Sequence, residues 1–252
     1  MTQNGFLGTI GWIKSNLMVS SQASEKGYSN ENFYPGASNI PESEASVSFP
    51  FKKIGNIVVD ENFVASGFSN SNYIQLGNMP TFNTDFEIQI AFSSTKNYHS
   101  GSSTTWDTYL IAPSPTDSYY SPGFSAWVKG KYSNRGIECK MTGSNKGSWG
   151  ITESSANYTS LSPSVNNKYL LRIKKTFDDN TKKYTLNASL LNSAGSVIAT
   201  ETNSTGSTSQ YASLPINLSN YVLGVGDGSA RTFFSGGSIY LKECYFKALN
   251  TK

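Results

Sequence analysis

Histidine occurs once in these 252 residues, cysteine twice, and charged side chains make up only 15% of the chain, against roughly 25% in an average soluble protein. Each scarcity removes a class of chemistry. A Ser-His-Asp or Cys-His nucleophile would have to be built on His99, which sits in a polar loop, and no nucleophile-elbow motif accompanies it. One imidazole and two distant thiols are too few for a structural zinc site. Cys139 and Cys244 make no disulfide framework; they lie in apolar, strand-like runs and read as buried thiols, with their pairing left open. No apolar run approaches the 18 or so residues of a membrane-spanning helix. Met1–Ile13 lacks a basic start and is broken by Gly8, Thr9 and Gly11, so it makes a poor secretory signal. Phosphate loops of the Walker and Rossmann types are missing, and a net charge of +3 gives no nucleic-acid footprint.

Serine, threonine and asparagine take the place of the missing charge, at 40, 21 and 24 residues. Aromatics stand at 13%, too much apolar payload for a disordered chain. The expectation is a folded protein with an uncharged polar surface. The basic excess collects in residues 166–184, where Lys168, Arg172, Lys174, Lys175, Lys182 and Lys183 outweigh Asp178 and Asp179. That stretch reads as a solvated hairpin or, alternatively, a patch for an anionic ligand.

From residue 55 onward apolar residues recur with period two, and a helical period is hard to find after residue 20. The clearest strand is 85–93, with Phe86, Ile88, Ile90 and Phe92 on one face and Glu87, Gln89 and Ala91 on the other, the mark of a half-buried strand. Tyr169, Leu171 and Ile173, then turn residues 178–180, then Tyr184, Leu186, Ala188 and Leu190 predict a long hairpin, and a turn at 192–196 returns the chain through Val197 and Ile198. Further strands are expected at 56–59, 73–76, 108–112, 124–131, 137–142, 221–225 and 237–246. In the last, Ile239 and Leu241 share one phase and Cys244 and Phe246 the other, so a bulge near Lys242 and Glu243, or burial on both faces, is expected. Ten to twelve short strands between Gly, Asn, Ser and Pro clusters suit a two-sheet sandwich or a closed barrel. Residues 1–54 alternate in no consistent period and read as a separate arm, docking on another chain or wrapping its own sandwich; the β domain occupies 55–252. On this reading, removal of residues 1–50 leaves the β domain folded.

Glycoside hydrolysis needs two carboxylates on one face. Asp85 and Glu87 have that spacing but lie opposite the core face, and the Glu-x-Asp-x-x-Glu motif of laminarinase-type hydrolases does not occur. Asp227, in Gly226-Asp227-Gly228-Ser229, reads as a tight turn or an oxygen ligand for calcium. No catalytic residue, metal site or cofactor is assigned. The remaining signal is aromatic. Trp106, Tyr119, Tyr120, Tyr132 and Trp149 lie in or beside Ser-, Asn- and Gly-rich segments, where a flat ring can stack on a sugar face or fill the core and rim. Trp106, Tyr119, Tyr120, Trp149, Asp227 and Arg231 are the candidate carbohydrate contacts.

Three segments carry a resemblance: Ala65 through Leu76 with its Asn72-Tyr73-Ile74, Tyr169-Leu170-Leu171-Arg172-Ile173, and the closing Phe234 through Phe246 with Gly237-Ser238-Ile239-Tyr240-Leu241. Together with the 85–92 strand they resemble the concanavalin A-like (LamG-type) jelly-roll domains of phage and prophage virion proteins, over about three quarters of the chain. The resemblance implies an all-β jelly-roll sandwich of two curved antiparallel sheets preceded by the irregular arm, with a concave face and rim loops able to hold a glycan. It further implies a virion part in a tail fibre, baseplate or capsid decoration, with other virion proteins, a host-surface glycan and sister chains, as in a trimer, for partners. Neither nucleic acid nor membrane is an expected partner. A secreted bacterial carbohydrate-binding or adhesin module is the alternative, and a glycan-cleaving enzyme a third reading.

Overall fold

The computed structural model describes residues 33–34, 49–69, 71–79, 81–82, 85–94, 106–115, 121–130, 136–151, 164–224 and 237–249. Within them the chain forms strands β1 (Phe33–Tyr34), β2 (Phe51–Ile54), β3 (Val58–Val59), β4 (Val64–Ser66), β5 (Tyr73–Leu76), β6 (Thr81–Phe82), β7 (Phe86–Ser94), β8 (Trp106–Ala112) and β9 (Gly123–Gly130). There follow β10 (Gly136–Thr142), β11 (Ser148–Ile151), β12 (Ser164–Asp178), β13 (Lys183–Asn192), β14 (Val197–Gly206), β15 (Ile216–Asn217), β16 (Val222–Leu223), β17 (Ser238–Tyr240) and β18 (Tyr245–Ala248).

They build an antiparallel sandwich. One sheet runs β14-β13-β12-β7-β17-β4-β3, with β18 also beside β7; the other runs β1-β2-β5-β16-β8-β9-β10-β11. A two-residue pairing of β15 with β6 lies apart from both. Consecutive segments pass repeatedly from one sheet to the other, the jelly-roll arrangement that the resemblance implies.

The core is the inward face of each strand. On the first sheet Phe86, Ile88, Ile90, Phe92, Leu171, Ile173, Leu186, Ala188 and Leu190 are fully buried, and on the second Phe51, Ile74, Phe124, Ala126, Ile137, Cys139 and Met141 oppose them. The long hairpin pairs Ile173 with Ala188 and Leu171 with Leu190, as its phase requires. Its turn is fastened by Asp178, whose carboxylate accepts the Asn180 N–H at 2.9 Å and the Thr181 hydroxyl at 2.7 Å. Those bonds, the hydroxyl first, hold the carboxyl below its ordinary value. The next turn uses Asn192, whose side-chain oxygen accepts from the N–H of Ala194 and Ser196.

The closing strand is interrupted, as its change of phase predicts. Ile239 pairs with Phe92 and Tyr245 with Gln89, so six steps along this segment match three along β7. The excess is taken up by a single 3-10 turn at Leu241–Glu243.

Three expectations need correction. Strand β7 is not half-buried: Gln89, Ala91, Ser93 and Ser94 are buried as well. Arg172 donates to the Gln89 side chain, which itself donates to the Glu243 carbonyl, and the Cys244 sulfur lies 3.4 Å from the Ala91 nitrogen. The basic hairpin is not wholly solvated: Lys168 bonds Glu243 at 2.7 Å, and Lys175 points inward with no exposure at all. Finally, residues 49–54, read as the end of the arm, belong to the sandwich. Phe49 and Phe51 are core residues and β2 pairs along its whole length with β5. Strands β2, β4 and β11 lie outside the segments that alternation marks: β4 has only three residues, and β11 is buried on both faces at Trp149, Gly150 and Ile151.

Candidate functional site

Strand direction gathers chain segments at one end of the sandwich. Ser94 closes β7 beside Ser164, which opens β12, and Ser238 opens β17 opposite Ser93. On the other sheet Trp106 opens β8 opposite Gly130, the last residue of β9, and Gly136 opens β10 opposite Lys129. The strand ends that bound 95–105, 131–135 and 152–163 therefore lie at one end, as does Ser238, which opens β17 after 225–236; Gly224, before that segment, donates to the Leu110 carbonyl part-way along β8. Rigid strands with long Ser-, Asn- and Tyr-rich connections between them form the usual platform for a binding surface.

The sequence candidates divide accordingly. Trp106 begins β8 at this end, though its side chain is outside the described residues. Asp227 and Arg231 also lie outside them, in the segment bounded by Gly224 and Gly237, as do His99 and Tyr132 in segments bounded at this end. Tyr119 and Tyr120 are likewise outside, bounded by Pro115 and Ser121 at the far end of β8 and β9. Seven residues of β8 separate the two ends by roughly 20 Å. Trp149 belongs to neither. It sits on β11 opposite Met141, packs in the main core and is 9% exposed, so it is not a stacking platform.

Below this end runs the face of the second sheet turned away from the core. Along β9, Phe124, Ala126 and Val128 enter the core, which directs Ser125 and Trp127 to the opposite face; along β10, Ile137, Cys139 and Met141 direct Glu138, Lys140 and Thr142 there too. Register then assembles the group: Trp127 faces both Tyr109 and Glu138, and Ser125 faces Lys140. The Tyr109 and Trp127 rings stack at 5.0 Å and 28°, and the Lys140 ammonium lies 5.6 Å from the Trp127 centroid. Tyr73, Ala112 and Val222 complete the small cluster around the two rings. All of these polar and aromatic groups except Tyr73 are buried. Sequence reasoning missed this group, although Trp127 keeping phase with Ser125 and Lys129, against Phe124, Ala126 and Val128, was the available signal.

The thiols are chemically quiet. Cys139 and Cys244 are free, and burial pushes each up to about 12. Among the described residues no group of three or more His, Cys, Asp or Glu could hold a metal ion, and no helix is long and apolar enough to cross a membrane. Asp85 is committed to structure, accepting the Phe177 N–H at 2.8 Å, and Glu87 accepts from the Tyr245 hydroxyl.

No protein-family model matches the chain, and no curated protein matches it in sequence. Similar solved structures are lectins and toxin receptor-binding domains. The botulinum neurotoxin type G receptor binding domain is 13% identical, with a TM-score of 0.46 over 81% of this chain and 44% of its own. Peanut lectin with a 9mer peptide is 12% identical, with a TM-score of 0.43 over 80% of this chain and 93% of its own. Lectin UEA-II complexed with galactose is 12% identical, with a TM-score of 0.45 over 79% and 93%. The chain thus spans less than half the length of the toxin domain.

Proposed function

We propose that this chain is a glycan-binding module of a phage virion protein, and that the glycan is held at the end of the sandwich where Trp106 opens β8. The observation that carries this is topological: the bounds of 95–105, 131–135 and 152–163 and the closing bound of 225–236 meet at that end, while Gly224, the opening bound of 225–236, lies part-way along β8 opposite Leu110. Those four segments hold Tyr98, His99, Tyr132, Asn134, Tyr158, Asp227 and Arg231, a set that offers ring faces for stacking together with hydroxyl, amide and carboxylate partners for sugar hydroxyls. Support for the virion setting is the sequence resemblance together with the Ser, Thr and Asn richness. The module then acts by attachment, with no bond made or broken.

The test is a glycan array paired with adsorption to whole cells, using the full chain. Trp106→Ala, Asp227→Ala and Arg231→Ala are each expected to weaken binding about tenfold or more, the loss of one anchoring contact. Tyr119→Ala and Tyr120→Ala, in a segment whose bounds Pro115 and Ser121 lie at the other end, are expected to leave it within twofold. Binding that follows Tyr119 and Tyr120 instead would overturn the placement, and silence on both assays would overturn glycan binding. Mass spectrometry of purified particles tests the virion setting, which the chain's appearance only as a free secreted protein would refute.

A further inference from the structure

Three of the four sheet ends are short: β1 and β3 have two residues each and β11 has four. The fourth, β14, has ten residues, and no described strand pairs with its outer edge. Exposed edges of this length are ordinarily blunted by Lys, Pro or a bulge within the open stretch. Residues 198–206 contain no Lys, Arg or Pro, and Glu201 is the single charge. The irregularity in β13–β14 pairing falls at its very start, between Leu190 and Leu191.

The backbone groups that the edge presents follow from register. The Ser207 N–H donates to the Lys182 carbonyl at 2.9 Å, and Lys183 faces Gly206. Bonded pairs alternate in an antiparallel ladder, so Thr205, Asn203 and Glu201 spend their N–H and C=O on β13. Those of Thr200, Thr202 and Ser204 point outward. The side chains of these same three residues are exposed and already ordered: Ser204 bonds Thr185 at 3.1 Å, Thr202 accepts from Asn187 at 2.9 Å and Thr200 bonds Ser189 at 3.0 Å. Ordering them on association therefore costs little entropy.

We propose that this edge pairs antiparallel with the β14 edge of a second copy of the chain, across a two-fold axis at Thr202, so that the two β14-containing sheets become continuous. The register is set by charge and by the outward groups. With Thr202 opposite its copy, Thr200 lies opposite the copy's Ser204, all outward N–H and C=O groups meet partners, and Glu201 lies opposite the copy's Asn203. Of the two neighbouring symmetric registers, the one centred on Glu201 sets two carboxylates some 4.5–5.5 Å apart at Cβ and is disfavoured by repulsion, and the one centred on Asn203 shortens the overlap to 200–206. Thr–Thr and Thr–Ser cross-strand pairs are favourable in the chosen register. A two-fold contact of this kind is closed and self-complementary, as most homo-oligomeric contacts are.

Sedimentation velocity and light scattering on the full chain, as a function of concentration, test the proposal. The expected mass is twice 27.4 kDa. Thr202→Lys, which sets two ammonium groups against each other at the axis, is expected to shift the chain to monomer with its circular dichroism unchanged and its melting temperature no longer dependent on concentration. Thr202→Cys is expected to give a disulfide-linked dimer on mild oxidation, since Cα atoms of a bonded antiparallel pair lie about 5.5 Å apart, within disulfide reach. Thr200→Cys alone is expected not to cross-link, whereas mixing it with Ser204→Cys is. Cys139 and Cys244 are buried and give no background. A monomer at all concentrations, a trimer, or a dimer that survives Thr202→Lys and fails to cross-link through Thr202→Cys would each overturn the pairing.

Discussion

Phe49 meets Phe246 edge to face, with ring centroids 4.9 Å apart and planes at 89°. The contact joins a residue placed by its sequence in the N-terminal arm to the last core position of the closing strand. Both rings are fully buried, and Phe51 follows two residues later with its own ring 6.2 Å from Phe49. Removal of residues 1–50 therefore opens the core. Phe49→Ala is expected to cost about 3–5 kcal/mol, and the 1–50 deletion at least as much. In a chain of this size that lowers the melting temperature on the order of 10 °C. Calorimetry of the deletion against full chain measures it; an unchanged melting temperature would restore the arm boundary to residue 54.

Lys175 predicts an unusual dependence of stability on pH. Its ammonium is enclosed by Phe86 and Tyr184, 5.8 and 5.3 Å from their centroids, and lies 3.4 Å from the Leu214 carbonyl. Burial lowers its pKa to about 8 from 10.5, and the nearby Asp85 charge opposes that shift without cancelling it. Between those values the unfolded chain keeps a proton that the folded chain has released, so stability rises with pH from about 8. Below pH 8 the folded state bears the whole cost, on the order of 3 kcal/mol. The buried thiols act in the opposite sense. Cys139 and Cys244 are raised from 9.0 to about 12, so above about pH 9 only the unfolded chain loses those protons and stability falls. Urea midpoints are expected to peak between pH 8 and 9, and Lys175→Met is expected to remove the rising limb. A midpoint flat from pH 7 to 9 in the natural sequence would contradict this.

Much of the fold is written in side-chain alternation. The hairpin β12–β13 and the strand β5 are recovered because each has four or more residues, one buried face and turn residues at both ends. Alternation fails where both faces are covered, as at Ala91 and Ser93 and along Trp149, Gly150 and Ile151 of β11, or where a strand has two or three residues, as at β4. It also gives no account of Lys175, since a charged residue at an inward position reads as a break in the pattern until its neighbours in space are known. The candidate site is legible only in its parts. Trp106, Asp227 and Arg231 stand out by residue type, yet their relation to one end of the sandwich rests on which strand ends lie side by side. Trp149 misleads for the same reason: its Ser- and Gly-rich neighbours suggest a loop, but they belong to a hairpin that directs the indole inward.

Gly123 illustrates how closely the far end is packed. Its φ of 127° lies where side chains are strained, and a Cβ added there would run into the Tyr221 hydroxyl. That hydroxyl accepts the Phe124 N–H at 2.8 Å, and burial raises its pKa to about 12. Gly123→Ala is expected to destabilise by about 2–4 kcal/mol through strain and the displaced hydrogen bond. Tyr221→Phe leaves the Phe124 N–H buried without its acceptor and is expected to cost about 1–3 kcal/mol. In the double variant the clash is relieved, so the two losses are expected to fall short of additive, which a thermodynamic cycle from denaturation midpoints measures.

Trp149 separates a structural aromatic from a binding one. Its ring fills core space opposite Met141, yet its Nε1–H finds no acceptor among the described residues. Trp149→Ala leaves a large cavity and is expected to lose about 3–5 kcal/mol of stability. Trp149→Phe keeps most of the apolar volume and deletes the orphaned donor, whose burial itself costs about 1–3 kcal/mol, so the two effects largely offset and a change below about 1.5 kcal/mol is expected. Neither variant is expected to alter glycan affinity at a temperature where it remains folded, because the indole faces the interior, away from any ligand at the Trp106 end. A Trp149→Phe variant that keeps its melting temperature but loses binding more than tenfold would return this residue to the binding surface.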